Sequence, residues 1–312
     1  MPIKINSWGG KLVWGLRKRH SAVVTPIAYK AGELLYSGKI RKYIEWWDKQ
    51  ESIPLFSQVM LETINRCNGH CAFCPANTKD EKRPFKKMSD ELLKKIAEEL
   101  KALNYDGNIY LNVNNEPFID VRILDIATML RREIPNAKIK LISNGTLLTV
   151  EKMKEIAKCV DDLVINNYSY EYELADNLQE IYQYVKQHKE EFANINIVIV
   201  RRYVEEVLAT RAGAAPNKPK KTMKLNSPCI YLFTDLVIFP DGQVGLCCND
   251  CFENTHIGDV NKESLVDVWN CQKLKVVRES MKQGREAFPF CKECDVIDAG
   301  SREKLIKEKL SL

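Results

Sequence analysis

The chain has 312 residues, 45% hydrophobic and 29% charged, with a formal net charge of +5, enough for one large core or two modest ones, of which two is the expectation. No run approaches the roughly 18 apolar residues of a membrane span, the first eight residues lack the charged-then-apolar pattern of a secretory signal, and no Lys/Arg stripe interleaves with aromatics as nucleic-acid binding requires. Eleven cysteines in a chain expected to be cytoplasmic then point to metal ligation or redox chemistry, because disulfides rarely persist there.

Residues 1–54 read as an N-terminal helical extension carrying Trp8, Trp14, Trp46 and Trp47 and a basic group of Lys11, Arg17, Lys18 and Arg19. Such a segment can lie on a membrane interface, but its apolar residues form no single stripe, so a helical cap is favoured and peripheral membrane contact is the alternative. Residues 55–212 alternate strand-like and helix-like patterns. The strands are expected at 56–64, 109–113, 139–143, 162–166 and 195–200, and the helices at 121–134, 150–158 and 174–188. A further helix starts at Ser89, an N-cap followed by Asp90 and Glu91, with Leu92, Ile96, Leu100 and Leu103 at helical spacing. The fold class is therefore α/β with a mainly parallel sheet, and five or six units in this length fit an open partial (β/α)6 barrel better than a closed eight-stranded one. Residues 213–224, including Ala215-Pro216-Asn217-Lys218-Pro219-Lys220-Lys221, read as a linker with solvated lysines. Residues 225–300 form a smaller second domain, and 301–312, rich in Lys and Glu, a solvated helical tail.

At the end of the first strand stand Cys67-x3-Cys71-x2-Cys74, with Phe73 just before the last. Three thiolates can hold three irons of a [4Fe–4S] cluster and leave the fourth open to a small ligand, whereas ferredoxins use four cysteines per cluster. A zinc knuckle closed by His70 or a distant cysteine is the alternative on spacing alone. Downstream come Asn112-Val113-Asn114-Asn115-Glu116-Pro117 and Leu141-Ile142-Ser143-Asn144-Gly145-Thr146-Leu147-Leu148. The three segments together resemble radical S-adenosylmethionine (SAM) enzymes, with asparagines where the Gly-Glu-Pro motif usually has glycines. The resemblance implies a partial barrel in which Cys67, Cys71 and Cys74 ligate a [4Fe–4S] cluster whose free iron chelates SAM. It assigns Glu116 to the SAM amine, Ser143 and Asn144 to the ribose, and Asn115 and Phe73 to the same site. Arg201 and Arg211, near the end of the last barrel strand, are candidates to clamp the SAM carboxylate or to deprotonate a substrate hydroxyl. A flavodoxin- or ferredoxin-type donor would supply the electron that releases a 5′-deoxyadenosyl radical.

The last third carries seven more cysteines. Pro240-Asp241-Gly242 between two strand-like runs is a hairpin signal that brings Cys229 and Cys247 together, and Cys291-x2-Cys294 supplies two further thiols. Four thiolates suit zinc or a closed cluster. The arrangement resembles the SPASM/twitch extensions of radical SAM enzymes. With no cysteine after Cys294 it implies the shorter form, with one auxiliary [4Fe–4S] cluster on Cys229, Cys247, Cys291 and Cys294. Cys248 and Cys251 are spare thiols that pack or donate a hydrogen atom; Cys159 and Cys271 read as packing residues. The single auxiliary cluster and moderate length look most like the alcohol dehydrogenases of aminoglycoside-type pathways, which implies oxidation of a carbinol in a sugar, cyclitol or sugar nucleotide. The alternatives are a redox-neutral epimerase using Cys248 or Cys251 as hydrogen donor, and a maturase of a ribosomal peptide. A maturase usually has a dedicated recognition domain, for which the N-terminal residues are few and irregular. An electron carrier would need neither Glu116 nor the Ser143-Asn144 segment.

Overall fold

The computed structural model describes residues 2–7, 33, 36–76, 81–218, 220, 225, 227–296 and 302–310. One nine-stranded sheet organises them. Its strands are β1 Ile3–Ser7, β2 Gln58–Leu61, β3 Asn108–Tyr110, β4 Lys138–Ser143, β5 Asp162–Ser169, β6 Asn196–Tyr203, β7 Asp235–Ile238, β8 Gln243–Gly245 and β9 Gly258–Asp259. The spatial order is β1-β6-β5-β4-β3-β2-β7-β8-β9. The first seven strands are mutually parallel, and only the β7-β8 and β8-β9 pairs are antiparallel. Helix α1 (36–48) precedes β2. Then α2 (Asp90–Ala102), α3 (Ile123–Glu133), α4 (Val150–Ile156) and α5 (Asp176–Gln187) connect the successive parallel strands β2 to β6, and α6 (Leu265–Trp269), α7 (Gln272–Lys282), α8 (Pro289–Lys292) and α9 (Glu303–Leu310) follow the hairpin.

The alternation of the strands separates two faces. Ile109, Ile139, Leu141, Leu163, Ile165, Ile197 and Ile199 are fully buried under the helices, while Ile142, Val164, Asn166, Val198 and Val200 on the other face are only half-buried. Parallel strands are ordinarily covered on both faces. The uncovered concave face is therefore space for a ligand, next to the C-terminal strand ends where α/β sheets place their sites.

Local signals agree with this. Ser89 Oγ accepts from Leu92 N at 3.1 Å and starts α2, which buries Leu92, Leu93, Ile96 and Leu100. Gly242 takes φ +83° at the β7–β8 turn, where a Cβ would collide with Asn261. Three expectations need correction. The N-terminal extension is not wholly helical, because Ile3–Ser7 adds to the sheet edge beside β6. The lysines of the linker are not all solvated: Lys218 is buried, with Nζ 2.5 Å from the Asp295 carboxylate. Nor is the tail simply solvated, since Ile306 is 3% exposed and Arg302 pairs with buried Asp235 at 2.5 Å. Its lysines and glutamates mask the helical spacing of Leu305, Ile306 and Leu310, which pack on the core. Within α1, Ile40, Tyr43, Ile44 and Trp47 are buried, and Trp47 meets Phe233 edge-on at 5.2 Å. Trp8, Trp14 and the basic Lys11, Arg17, Lys18 and Arg19 lie outside the described residues, and no helix among those described is long and apolar enough to cross a membrane.

Candidate active site and iron–sulfur centres

The first cysteine loop leaves the end of β2 and is pinned on one side by 83–87. Asn65 Nδ2 donates to Pro84 O at 2.8 Å, Lys86 N to Asn65 Oδ1 at 2.8 Å, and Arg66 Nη2 to Arg83 O at 3.0 Å. On the other side Ala72 N donates to Val204 O beyond β6, and Glu116 N donates to Arg66 O, both at 3.0 Å. Within the loop Gly69 N donates to Cys67 Sγ at 3.3 Å, and a Cβ on Gly69 would stand 3.4 Å from Cys67 Sγ and 3.8 Å from Cys71 Sγ. The sulfurs thus converge on a backbone that lacks a side chain. Burial, then Glu116 and Cys74, push the Cys67 thiol up to about 11. Burial, Cys74 and Cys67 push Cys71 up to about 12. Crowded thiols that resist ionisation together are relieved by a bound cation, the electrostatics of a metal-cluster site.

Glu116 is 2% exposed, and its carboxylate accepts from Phe118 N at 3.2 Å, Ser143 Oγ at 2.8 Å and Asn144 N at 2.7 Å. Burial nevertheless raises its pKa. Ser143 Oγ also accepts from Gly145 N at 2.9 Å, so its hydroxyl serves the carboxylate and the turn. Asn144 Nδ2 faces the cluster loop, 2.8 Å from Asn68 Oδ1 and 4.0 Å from Cys67 Sγ. Asn115 Oδ1 accepts from Val113 N at 3.0 Å, while its Nδ2 is buried without a hydrogen-bond partner. Phe73 is buried against Tyr168 at 5.7 Å, with the Arg202 guanidinium 5.9 Å and 5.8 Å from the two ring centres. Arg202, fixed by Glu206 at 2.5 Å, is the arginine of β6 on the cluster side. Arg201 alternates to the helix-covered face in register with Ser7, and its Nε is buried and unpartnered.

In the second cysteine set, Cys229, Cys247, Cys291 and Cys294 line one cavity with Arg285 and Phe290. Burial and the neighbouring sulfurs raise the Cys247 and Cys291 thiols, and burial raises Cys229 despite the pull of Arg285. Arg285 Nη1 lies 3.7 Å from Cys294 Sγ, and Nε donates to Ser227 O at 3.3 Å. No group of three or more His, Cys, Asp or Glu side chains among the described residues is arranged to hold a single metal ion. By number and kind, four thiols around a shared cavity suit a zinc ion or a closed iron–sulfur cluster. Cys271 caps α7, its Sγ accepting from Leu274 N at 3.4 Å, and Cys159 is buried.

Arg211 stands between the two sets. Its Nε lies 3.0 Å from Cys251 Sγ, and Nη2 donates to Cys248 O at 3.0 Å and to Asn114 Oδ1. Arg211 and Ala212 have φ +48° and +56°, conformations that store strain and recur at functional sites. The preceding Thr210 is clamped to the auxiliary loop: its N donates to Asp295 Oδ1 at 2.7 Å and its Oγ1 to Glu293 O at 2.6 Å. Cys248 faces Met60, Val237 and Phe239 on the concave side, and burial pushes its thiol up to about 12.

Sequence reasoning missed Glu62, which is fully buried, accepts from Asn114 N at 3.1 Å and lies 3.6 Å from Arg83. The available signal was a carboxylate continuing the inward register of Gln58 and Met60. Burial pushes its carboxyl up to about 7 against the pull of Arg83, from an ordinary 4.5. The unfolded state therefore ionises first, so the stability carried by protonated Glu62 is complete below about 4.5 and lost as pH rises towards 7. Thermal unfolding of wild type and Glu62→Gln at pH 5 and pH 8 should show the variant gaining on the order of 5 °C relative to wild type at the higher pH. A gap that does not change with pH contradicts the assignment.

The fold and the two cysteine centres define a radical SAM enzyme with an auxiliary iron–sulfur domain: the Radical SAM superfamily matches residues 61–191 and the SPASM iron-sulfur cluster-binding domain matches 229–295. These domains carry a SAM-binding [4Fe–4S] cluster and an auxiliary cluster, so iron and not zinc is the metal. The chain is similar to the S-adenosyl-L-methionine-dependent 2-deoxy-scyllo-inosamine dehydrogenase of Niallia circulans, 23% identical over 253 residues that span 80% of this chain and 97% of the relative. Its fold is that of BtrN, solved in complex with AdoMet and 2-DOIA, with TM-score 0.69, 21% identity, and coverage of 80% of this chain and 97% of that one. It is also like that of native anSMEcpe with bound AdoMet, with TM-score 0.51, 12% identity, and coverage of 81% and 96%.

Proposed function

We propose that this enzyme oxidises one hydroxyl-bearing carbon of a small polyol, a sugar, cyclitol or sugar nucleotide, to a carbonyl. Cys67, Cys71 and Cys74 hold the SAM cluster, and Cys229, Cys247, Cys291 and Cys294 hold the auxiliary one. The observation that carries the reading is the full four-thiol lining of the second cavity: four protein ligands leave no iron open, which suits electron transfer and not substrate ligation. When bound, the cofactors supply a 5′-deoxyadenosyl radical that takes a hydrogen atom and a cluster that takes one electron. With one proton lost from the hydroxyl, the balance is a two-electron oxidation. Similarity to the S-adenosyl-L-methionine-dependent 2-deoxy-scyllo-inosamine dehydrogenase supports the same outcome.

The protein's part is positioning. Glu116, tied to Ser143 and Asn144, presents the loop that meets the SAM amine and ribose. Arg202, over Phe73 and Tyr168, braces the cluster loop from β6. Half-buried Val164, Val198 and Val200 offer an apolar wall to a ring's C–H face. Arg211 stabilises negative charge on the substrate oxygen as the hydroxyl proton leaves, and a flavodoxin- or ferredoxin-type protein is the electron donor. A cyclitol deuterated at the reacting carbon tests this: deuterium should appear in 5′-deoxyadenosine in step with ketone, and its retention in the cyclitol contradicts the reading.

One observation favours a second reading. The Cys251 thiol is buried beside Arg211 and is not among the four that line the auxiliary cavity. As a neutral thiol, kept so by burial, it could return a hydrogen atom to a substrate radical and make the reaction an epimerisation. Solvent deuterium in a redox-neutral product selects that reading.

A further inference from the structure

Asn114 and Asn115 stand where the radical SAM pattern has glycine, so their side chains add contacts that a glycine could not. Asn114 joins both halves of the molecule. Its backbone N–H donates to Glu62 Oε1 at 3.1 Å, and its Oδ1 accepts from Arg211 Nη2 and from Cys251 Sγ, the latter at 3.4 Å. The Arg211 guanidinium completes the set through Cys251 Sγ and Cys248 O, both at 3.0 Å. The amide cannot be turned round, because guanidinium and thiol are both donors facing its oxygen. That orientation leaves Nδ2 buried and without a hydrogen-bond partner among the described residues. A buried amide donor left unmade is costly, and calls for a group that completes it. The surroundings supply the chemistry of that group: a fixed cation, a thiol and an amide N–H together suit an oxygen that gains negative charge.

We propose that Asn114 is a positioning and specificity residue whose Oδ1 holds Arg211 against Cys251 and whose Nδ2 donates to the oxygen of the hydroxyl being oxidised. The second half rests on the polyol reading above; the first does not. Two substitutions separate the roles. Asn114→Asp keeps the acceptor for Arg211 and Cys251 but removes the donor, while Asn114→Gly restores the usual family residue and removes both.

With the anaerobic, cluster-loaded protein and a cyclitol substrate, Asn114→Asp should lower kcat/KM about tenfold, and Asn114→Gly about a hundredfold, at unchanged iron content. Alkylation of Cys251 by iodoacetamide, followed by peptide mass mapping, should be about fivefold slower in Asn114→Gly and unchanged in Asn114→Asp, because only the glycine variant releases the arginine that favours the reactive thiolate. Wild-type kcat/KM in Asn114→Asp overturns the donor role, and equal alkylation in all three proteins overturns the positioning role. If the wild type cleaves SAM yet oxidises no polyol, the donor role falls with that reading, and the alkylation series still decides the positioning role.

Discussion

Replacing Cys71 by alanine removes about four of eight irons per chain and lowers 5′-deoxyadenosine release from SAM by at least about a thousandfold. The effect is large because the loop has no substitute ligand. Cys67 and Cys71 approach the same glycine backbone, Cys74 helps to raise both of their thiols, and Cys67 that of Cys71, so loss of one sulfur breaks a three-point attachment. His70, inside the same loop, is exposed, and a three-thiolate cluster has no role for it. Iron assay and product chromatography on the reconstituted variant check the prediction; full cleavage activity in Cys71→Ala would mean that the loop does not hold the reactive cluster.

Asp295→Ala should destabilise the protein by about 3–5 kcal/mol, a fall in Tm on the order of 10 °C. Asp295 is 1% exposed, one residue beyond Cys294, and carries both the Thr210 N–H at 2.7 Å and the Lys218 ammonium at 2.5 Å. Removing it takes a 2.5 Å countercharge from a buried cation, which costs far more than a surface pair. Asp295→Leu combined with Lys218→Met should recover most of the loss, because an apolar pair of similar volume is often neutral or stabilising. Thermal melts of the loaded proteins measure both. A fall in Tm of less than about 2 °C for Asp295→Ala would show that the clamp contributes little.

The readable parts of the fold were those with local signals. Strands β2 to β6 and helices α2 to α5 follow period-2 and helical spacing, and Ser89 caps α2 as its sequence dictates. The places of β1 and β7 were not readable in this way: that Ile3–Ser7 lies beside β6, and β7 parallel to β2, depends on pairing across more than 170 residues, which leaves no local trace. The same holds at the site. Cysteine spacing points to the clusters, whereas Glu62 and Asn114 acquire meaning only when the chain brings them within hydrogen-bond reach of each other and of Arg211, a candidate in sequence whose partners were not readable there. Arg201 and Arg202 differ by one position, and strand alternation alone puts the second on the cluster side. Lys218 and the tail were misread because charged residues suggest solvent, and burial is decided by distant partners such as Asp295 and Asp235.

The most direct test is anaerobic iron and sulfide content, paired with SAM cleavage under dithionite, for wild type and Cys291→Ala. Two independent centres predict about eight irons per chain in wild type and about four in the variant, which still releases 5′-deoxyadenosine but forms no ketone. Loss of both clusters, or of SAM cleavage, in Cys291→Ala would contradict the division into a reactive and an auxiliary centre.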